Sequence, residues 1–458
     1  MEKNDKMGVM PVRRLMLSMG IPMILSMVLQ AVYNIVDSAF VSNMKENGEA
    51  ALTALTLDFP VQVLIIAIGI GTGVGVNALV SKSLGQGDRE KANRAAGNGV
   101  FMIVLIYLAF LLFGLFGAKA YVASQTSNEL VFDMAVDYLR ICCTISVGVL
   151  FFNIYEKLLQ STGNSICSTI AQIAGALTNI VLDPIMIYGL FGCPEMGVRG
   201  AAYATVIGQF VSFGVAILFH LKVNKNLSNQ PRYWKPSGTI IKQIYAIGLP
   251  AIIAQALQSV MTYGLNLVLG GVSESMVTAY GLYYKIQQFV LFAAFALRDA
   301  ITPIVSFAHG MGSKARIKEG IRYGMMFTLI IMVAGLAIIE VFAAPFSKVF
   351  GLSGETNDLC ISAMRIISLS FVFAGANIAL QGVFQALDGG LESLIVSLCR
   401  QLIFIFPFAI FFAHIARQSP SYTWLVWTTF LIAEGVSTVI AVILYKRTDR
   451  KKIQVLEG

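Results

Sequence analysis

Charged residues are scarce in this sequence. Only 13% of the 458 residues are Asp, Glu, Lys or Arg, about half of the share in a typical soluble globular protein. The hydrophobic share is 57% and the mean hydropathy is +0.74, so too little polar surface remains to keep a water-soluble fold dispersed. A spanning helix needs about 20 apolar residues, and apolar runs recur along the whole chain. We therefore predict an integral membrane protein.

Motifs of several enzyme classes are also missing. The sequence contains no G-x-x-x-x-G-K-[ST] phosphate-binding loop, and no connection is long enough for an ATP-hydrolysing domain. The six cysteines lack C-x-x-C spacing and the three histidines are scattered, which argues against a metal cluster and against disulfides. We predict no enzymatic activity and no cofactor, with Na⁺ considered only as a coupling ion.

The apolar runs predict twelve membrane-spanning helices. Of the Lys and Arg residues that we place at the membrane surfaces, 23 lie on the side of the N-terminus and 5 on the other side. Because basic residues concentrate in cytoplasmic connections, we predict a multi-pass protein of the cell inner (plasma) membrane with both termini cytoplasmic. The net charge of +8 then reflects topology, and no nucleic-acid partner is expected. The predicted spans are 15–42, 52–80, 95–118, 130–155, 166–190, 198–220, 243–269, 276–307, 323–346, 359–385, 392–415 and 422–445.

The two halves of the chain share a pattern. The stretch Gly20-Ile-Pro-Met-Ile-Leu-Ser-Met-Val-Leu-Gln30 resembles Gly248-Leu-Pro-Ala-Ile-Ile-Ala-Gln-Ala-Leu-Gln258 at an offset of 228. Because six spans return the chain to its starting side, such a repeat is parallel, about an axis along the membrane normal. We predict two pseudo-symmetric six-helix lobes around a midplane cavity. They are an N-lobe of residues 1–220 and a C-lobe of 243–458, joined by a cytoplasmic linker of 221–242.

Polar side chains inside the predicted spans are candidates for the functional site, because each is costly in a membrane. Tyr33 and Asp37 lie one helical turn apart in the first span. Asn179 and Asp183 are likewise one turn apart in the fifth span, and Thr205 follows the small residues Gly-Ala-Ala in the sixth. Two carboxylates, an amide and a hydroxyl form a hard-oxygen site suited to H⁺ or Na⁺. The alternative is that each carboxyl is protonated or bonded to a neighbouring helix for packing.

Three other features have local structural interpretations. Pro22 removes a backbone hydrogen bond within the first span, which predicts a kink or hinge. Asp58 precedes Pro60 near the end of the second span and is interpreted as a helix-start residue. The glycine-rich run of residues 69–75 follows no strand, so it indicates helix packing or bending rather than nucleotide binding.

Three stretches of the chain resemble one transporter family. They are Pro22 through Tyr33 to Asp37, Asn179-Ile-Val-Leu-Asp-Pro-Ile-Met-Ile-Tyr188, and Gly197-Val-Arg-Gly-Ala-Ala-Tyr-Ala-Thr205. The resemblance is to the MATE (multidrug and toxic compound extrusion) exporters, in the branch of DinF-like and MepA-like proteins, and it covers nearly the whole chain. It implies an antiporter that expels cationic or amphipathic compounds while H⁺ or Na⁺ enters. It also implies a cation-coupling site, which would consist of Asp37, Asn179, Asp183 and Thr205 with Tyr33 beside it.

The predicted substrate contacts lie in the C-lobe. Asp299 shares the eighth span with Phe292 and Phe295, an arrangement suited to a lipophilic cation because aromatic faces attract cations. Gln255 in the seventh span is a further candidate. Asp299 would alternatively neutralise Arg298 beside it. For three other intramembrane acids the sequence does not distinguish between lining the cavity and packing against neighbouring helices: Glu156, Glu340 and Glu434.

One other transporter function competes with drug export. A lipid or lipid-linked oligosaccharide flippase of a related two-lobe fold needs a strongly basic cavity to hold phosphate, whereas Arg298 is offset by Asp299. A channel would need a repeated filter sequence, which is not found. We expect a monomer in the lipid bilayer that interacts with small-molecule substrates and with H⁺ or Na⁺, between which the sequence does not choose.

Overall fold

The computed structural model describes residues 6–44, 47–349 and 354–456, and in these residues the secondary structure is helical throughout. Short 3₁₀ and π turns connect or extend the α-helices. The helices are α1 Lys6–Val9, α2 Val12–Ser42, α3 Gly48–Gly85, α4 Arg89–Leu112, α5 Ala118–Ala123, α6 Glu129–Thr144, α7 Val147–Ser161, α8 Ser165–Tyr188, α9 Val198–Val223, α10 Gly238–Gly270, α11 Glu274–Gly310, α12 Lys314–Val349, α13 Gly354–Ser368, α14 Phe371–Ala386, α15 Gly390–Leu398, α16 Ile405–Gln418 and α17 Trp424–Thr448.

Within the described residues, ten stretches of helix are long and apolar enough to cross a membrane. The number rises to twelve when each of two bent helix pairs counts as one span. The pair α6 and α7 bends by 44°, and the pair α13 and α14 by 51°. The prediction of an all-helical membrane protein is confirmed, and the twelve predicted spans correspond to the ten long stretches plus the two bent pairs.

The two bent spans break at serine rather than at proline. Ser146 Oγ donates a hydrogen bond of 2.9 Å to the Cys143 carbonyl, and Ser370 Oγ donates one of 2.7 Å to the Ile367 carbonyl. Such bonds compete with the hydrogen bonds of the helix backbone. By contrast, α2 continues as one helix through Pro22, and the kink or hinge expected there stays a prediction.

Contacts divide the chain into two compact units. Unit 1 is formed mainly by Ile21–Ile252, and unit 2 by Gly8–Gly20 together with Ile253–Gly458. The division falls inside α2 and α10, whereas the lobe limits 1–220 and 243–458 stay a prediction. The core of unit 2 includes three large, fully buried aromatic residues, Tyr280, Tyr283 and Trp427.

Close contact between α8 and α9 organises the polar part of unit 1. A Cβ atom at Gly200 would collide with the Met186 carbonyl oxygen, and one at Gly175 would collide with the Ser212 hydroxyl. The small residues therefore let the two helices approach closely, as the Gly-Ala-Ala run indicates. Glycines of the 69–75 run likewise allow α3 to pack against α7 and α10, which agrees with the packing interpretation.

The segment predicted as a linker is bonded to α4 within unit 1. The backbone N–H of Ser228 donates to Asn93 Oδ1 at 2.7 Å, and the N–H of Ser237 donates to Asn98 Oδ1 at 2.7 Å. Between them, the Tyr233 hydroxyl donates to Glu90 Oε2 at 3.0 Å. Residues 228–237 thus follow a defined path along the helix.

Candidate functional site

The predicted cation-coupling residues lie at similar depths in three helices of unit 1. Asp37 lies five residues before the end of α2, and Asp183 five residues before the end of α8. Thr205 lies seven residues after the start of α9. At a rise of 1.5 Å per residue, these side chains are about 8–11 Å from the nearest end of their helix. The chain reaches all three ends on the same side of the twelve-span arrangement.

Asn179 connects α8 to α9 at this depth. Its amide nitrogen Nδ2 donates to Asp183 Oδ1 at 3.3 Å and to Thr205 Oγ1 at 3.4 Å. All three side chains are buried, and Asp183 is completely inaccessible to solvent. The structure therefore brings together the amide, the hydroxyl and one of the two carboxyl groups named from the sequence.

The second carboxyl group completes a cluster of acceptor atoms. Asp37 lies within hydrogen-bonding reach of Asp183, and the Tyr33 phenol is close to both. Three buried oxygens receive no hydrogen bond from any described residue: Asp37 Oδ1, Asn179 Oδ1 and Asp183 Oδ2. Ionised carboxylates only accept hydrogen bonds, so a proton or a small cation between them would satisfy atoms that otherwise repel each other.

Metal sites of the usual kind are not found among the described residues. No group of three or more His, Cys, Asp or Glu side chains there could hold a metal ion. The cluster has two carboxyl groups, and its remaining oxygens come from an amide and a hydroxyl. Such an oxygen set suits a proton or a weakly held hard cation rather than a tightly bound transition metal.

Sequence reasoning missed Tyr138 beside this cluster and its partner Gln62, and it assigned the wrong role to Asp58. Tyr138 is buried on α6, interacts with Gln62 of α3 and lies close to Asp37. The one sequence signal that could have pointed to Tyr138 is its spacing from Cys142, which places the two side chains one turn apart on α6. Asp58 was interpreted as a helix-start residue, which is wrong: α3 begins ten residues earlier, and Asp58 is completely buried inside it.

The predicted substrate residue Asp299 is paired with its neighbour in unit 2. Asp299 Oδ1 accepts hydrogen bonds from Arg298 Nε at 3.0 Å and Nη2 at 2.8 Å. The guanidinium group also lies 5.0 Å from the ring centroid of Phe295. The structure thus has the ion pair that the sequence left as an alternative, and the aromatic ring is next to Arg298 rather than next to a free carboxylate.

A cavity in unit 2 holds a second such pair. Glu434 accepts bonds of 2.8 Å from both Nε and Nη2 of Arg400, and another of 2.8 Å from Asn377 Nδ2. Of the four predicted substrate residues only Phe295 is among the residues that line this cavity, whereas Asp299, Phe292 and Gln255 are not. The lining residues are Gln258, Met261, Gln287, Leu291, Phe295, Arg400, Gln401, Ile405, Phe430, Ala433 and Glu434.

The other two acids with open roles are bonded within their own surroundings. Glu156 Oε1 accepts a hydrogen bond of 3.0 Å from Gln160, whose own oxygen accepts one of 3.0 Å from the buried Lys157. Glu340 Oε1 accepts a bond of 3.1 Å from the Ser368 hydroxyl. Both therefore take part in local hydrogen-bond networks.

The family and its relatives are found by comparison. The MatE family profile matches residues 22–185 and again residues 250–411. The two matches start 228 residues apart, which is the offset of the sequence repeat. The Multidrug export protein MepA of Staphylococcus saprophyticus is 24% identical over 449 residues, covering 97% of this chain and 96% of that protein. MepA of Staphylococcus aureus (strain NCTC 8325 / PS 47) is 23% identical over 457 residues, covering 98% and 96%.

Solved structures share the fold. One is an outward-facing conformation of a multidrug resistance MATE family transporter of the MOP superfamily, with a TM-score of 0.90 and 24% identity. It covers 98% of this chain and 99% of that one. Another is a MOP superfamily transporter from Pyrococcus furiosus Vc1 (DSM3638), for which the reverse polarity of the binding pocket suggests a different function. Its TM-score is 0.87 at 25% identity, over 100% and 99% of the two chains.

Proposed function

Because this chain belongs to the MatE family, we propose that it is a secondary active antiporter that exports multiple cationic or amphipathic compounds in exchange for H⁺ or Na⁺. Family membership makes it a multi-pass membrane transporter and not an enzyme. The MepA relatives are named as multidrug exporters, which supports the choice of substrate class. The observation that carries the proposal is the set of three buried acceptor oxygens without a donor in unit 1.

The coupling mechanism follows from the chemistry of that cluster. Asp37 and Asp183 come from different helices, so their mutual repulsion when both are ionised separates α2 from α8. A proton or Na⁺ removes the repulsion and draws the helices together. A ligand drives a conformational change only by binding one state more tightly, and a pair of carboxyl groups whose separation differs between states has that property. Asn179 and Thr205 extend the effect to α9, and Tyr33 provides a hydroxyl beside the bound ion.

Substrate contacts belong to unit 2 in this proposal. Phe295 is the best supported of the predicted residues, since its ring lines the cavity and faces the Arg298 guanidinium. Asp299 does not line the cavity and would act behind the Phe295 ring, by cancelling the charge of Arg298, which would otherwise repel a cationic compound. Phe292 of α11 and Gln255 of α10 remain proposed substrate contacts. Amide groups of the cavity add hydrogen-bonding positions that tolerate substrates of different shape.

The flippase alternative receives less support. A phosphate-bearing lipid headgroup needs guanidinium groups that are not already engaged. Within the described part of unit 2, Arg298 is bonded to Asp299, and Arg400 is bonded to Glu434. The carboxylates thus already occupy the groups that would hold a phosphate.

Transport by purified protein in proteoliposomes tests the proposal. We expect the fluorescent cation ethidium to move against its gradient when a pH gradient or a Na⁺ gradient is imposed alone, and the effective gradient identifies the coupling ion. Movement in the opposite direction to the ion is the expected sign of antiport. Ethidium flux that is indifferent to both gradients, although the protein is folded and inserted, contradicts secondary active antiport of this compound class.

The membrane orientation is a second part of the proposal. Both termini are placed on the cytoplasmic side of the cell membrane, because 23 of the 28 assigned basic residues lie on that side. Single cysteines introduced at Asn47 and at Ser313, in a variant lacking the exposed Cys193, should react with an impermeant thiol reagent from opposite sides of the membrane. Labelling of both positions from the same side contradicts the topology.

A further inference from the structure

Asp58 is a buried carboxyl group that the coupling mechanism does not use. It lies inside α3, its side chain has no exposed surface, and neither Oδ1 nor Oδ2 has a hydrogen-bond partner among the described residues. Removing an ionised carboxylate from water without a partner is strongly unfavourable. The group is therefore neutral in this conformation, which means that it holds a proton.

The surroundings of Asp58 contain a tyrosine and two cysteines but no basic side chain bonded to it among the described residues. The Tyr121 hydroxyl of α5 donates to the Leu57 carbonyl at 3.0 Å and lies near the carboxyl group. Cys142 and Cys143 of α6 lie near it as well. The helices α4 and α7 also pack on α3, but no hydrogen bond or ion pair joins them to Asp58 in the part of the chain that the structure describes.

A strip of polar side chains leads from Asp58 toward the coupling cluster. Gln62 lies one turn after Asp58 on α3 and interacts with Tyr138 of α6. Tyr138 in turn interacts with Cys142, one turn further along α6, and lies close to Asp37. The α3–α6 interface thus has Asp58 near one end of the strip and the Asp37–Asp183 pair near the other.

We infer that Asp58 is a second proton-binding site of unit 1, which holds its proton in this conformation and exchanges it with solvent when the α3–α6 interface opens. The step is a simple acid–base equilibrium in which the carboxyl group releases one proton to water and becomes a carboxylate. The Tyr138–Gln62 contact transmits the charge state of the Asp37–Asp183 pair to this interface. The inference rests on the proposed coupling role of that pair.

Infrared titration of lipid-reconstituted protein tests the inference without any substrate. Subtracting the Asp58→Asn spectrum from the wild-type spectrum separates the carbonyl stretch of a protonated Asp58 from any band of the Asp37–Asp183 pair, and this difference band should be present at neutral pH and disappear in alkaline buffer. Asp58→Glu should shift the band but keep its titration, because the acid is retained in a slightly different position. Asp137→Asn is the matched control, since Asp137 is an acid of α6 that is bonded to Arg199 at the surface, and it should leave the band unchanged.

A second measurement separates a coupled site from a merely buried acid. The pH at which the residue-58 band disappears should differ between wild type and Asp37→Asn, because the nearby charge has been removed. A band that persists unchanged through the whole pH range, or that titrates identically in both proteins, overturns the inference. If Asp58→Asn does not fold, Asp58→Glu replaces it as the test variant. A protonated-carboxyl band that keeps its position in Asp58→Glu does not come from residue 58 and overturns the inference equally. Failure of the coupling proposal is recognised separately, by wild-type gradient-driven export in Asp37→Asn.

Discussion

The buried acids of the two units are compensated in different ways. In unit 2, Asp299 and Glu434 are each bonded to an arginine at 2.8 Å. In unit 1, Asp37 and Asp183 face each other, and no basic side chain pairs with them among the described residues. The charge of unit 2 is therefore balanced by groups that the chain itself provides. Unit 1 has to obtain its balancing charge from solution.

The contrast indicates a division of labour within a repeated fold. An acid that is bonded to arginine has its charge balanced by a group that does not deprotonate in the physiological pH range. Two acids that share a buried site change their combined charge with the supply of protons or Na⁺. Unit 1 is accordingly the part expected to sense the ion gradient, whereas unit 2 offers a cavity of constant net charge to the substrate.

Loss of either unpaired acid should have the largest effect. We expect Asp37→Asn and Asp183→Asn each to abolish gradient-driven export, because a single remaining carboxyl group no longer repels a partner and gains little from an ion. Proteoliposome transport of ethidium measures this, with equilibrium binding of ethidium as a check that substrate recognition survives. Asp137→Asn, which alters a partly exposed acid of the same unit that is bonded to Arg199, is the control. Wild-type coupled export in both variants would assign the cluster a structural role.

Breaking a compensated pair should destabilise unit 2 instead. Glu434→Gln leaves the buried Arg400 guanidinium without its counter-ion, and loss of one partner of a buried pair costs about 3–5 kcal/mol. Thermal unfolding in detergent should show a clear loss of stability. The double variant Arg400→Leu with Glu434→Leu should recover most of it, because neither charge is then buried. Equal instability of the single and double variants would contradict an ion-pair origin of the effect.

Changing the charge beside the cavity should alter selectivity. Asp299→Asn leaves Arg298 positive, so export of ethidium should fall by about tenfold, equivalent to ~1.4 kcal/mol. Export of a neutral dye should change less. Arg298→Gln combined with Asp299→Asn restores the net charge and should restore cation export. Equal losses for charged and neutral dyes, without recovery in the double variant, would mean that the pair only supports the helix.

The sequence was sufficient for features that depend on composition and periodicity. Long apolar runs and scarce charge specified an all-helical membrane protein. Helical spacing placed Asn179 next to Asp183, and a small-residue run indicated the close α8–α9 contact that brings Thr205 near them. Burial of each polar side chain is costly in a membrane, so the candidates for the site could be found without a structure.

Features that depend on contacts between helices could not be read from the sequence. Asp58 lies ten residues inside α3, but no sequence pattern indicates which face of that helix is covered by α6. The pairing of Arg400 with Glu434 joins residues 34 positions apart and needs the packing of two helices to be known. Serine breaks were missed for a related reason: Ser26 and Ser168 make the same type of bond inside unbroken helices, so a serine in an apolar run does not by itself predict a break.

The serine breaks are expected to give the smallest effect, because the same serine hydrogen bond occurs at the bend of a span in each unit. Ser146 Oγ bonds to the carbonyl three residues earlier, and Ser370 Oγ does the same in the other unit. A hydrogen bond of this kind contributes about 0.5–1.5 kcal/mol. Ser146→Ala and Ser370→Ala should therefore lower stability by similar small amounts, measured by thermal unfolding in detergent. Ser124→Ala is the control, since Ser124 makes the same type of bond at an exposed helix end.

If the bend serves ion coupling as well as folding, Ser146→Ala should also slow gradient-driven export, and Ser370→Ala should not. Equal transport losses in both variants would mean that the bend has the same role in each unit and that the two units differ only in their charged groups.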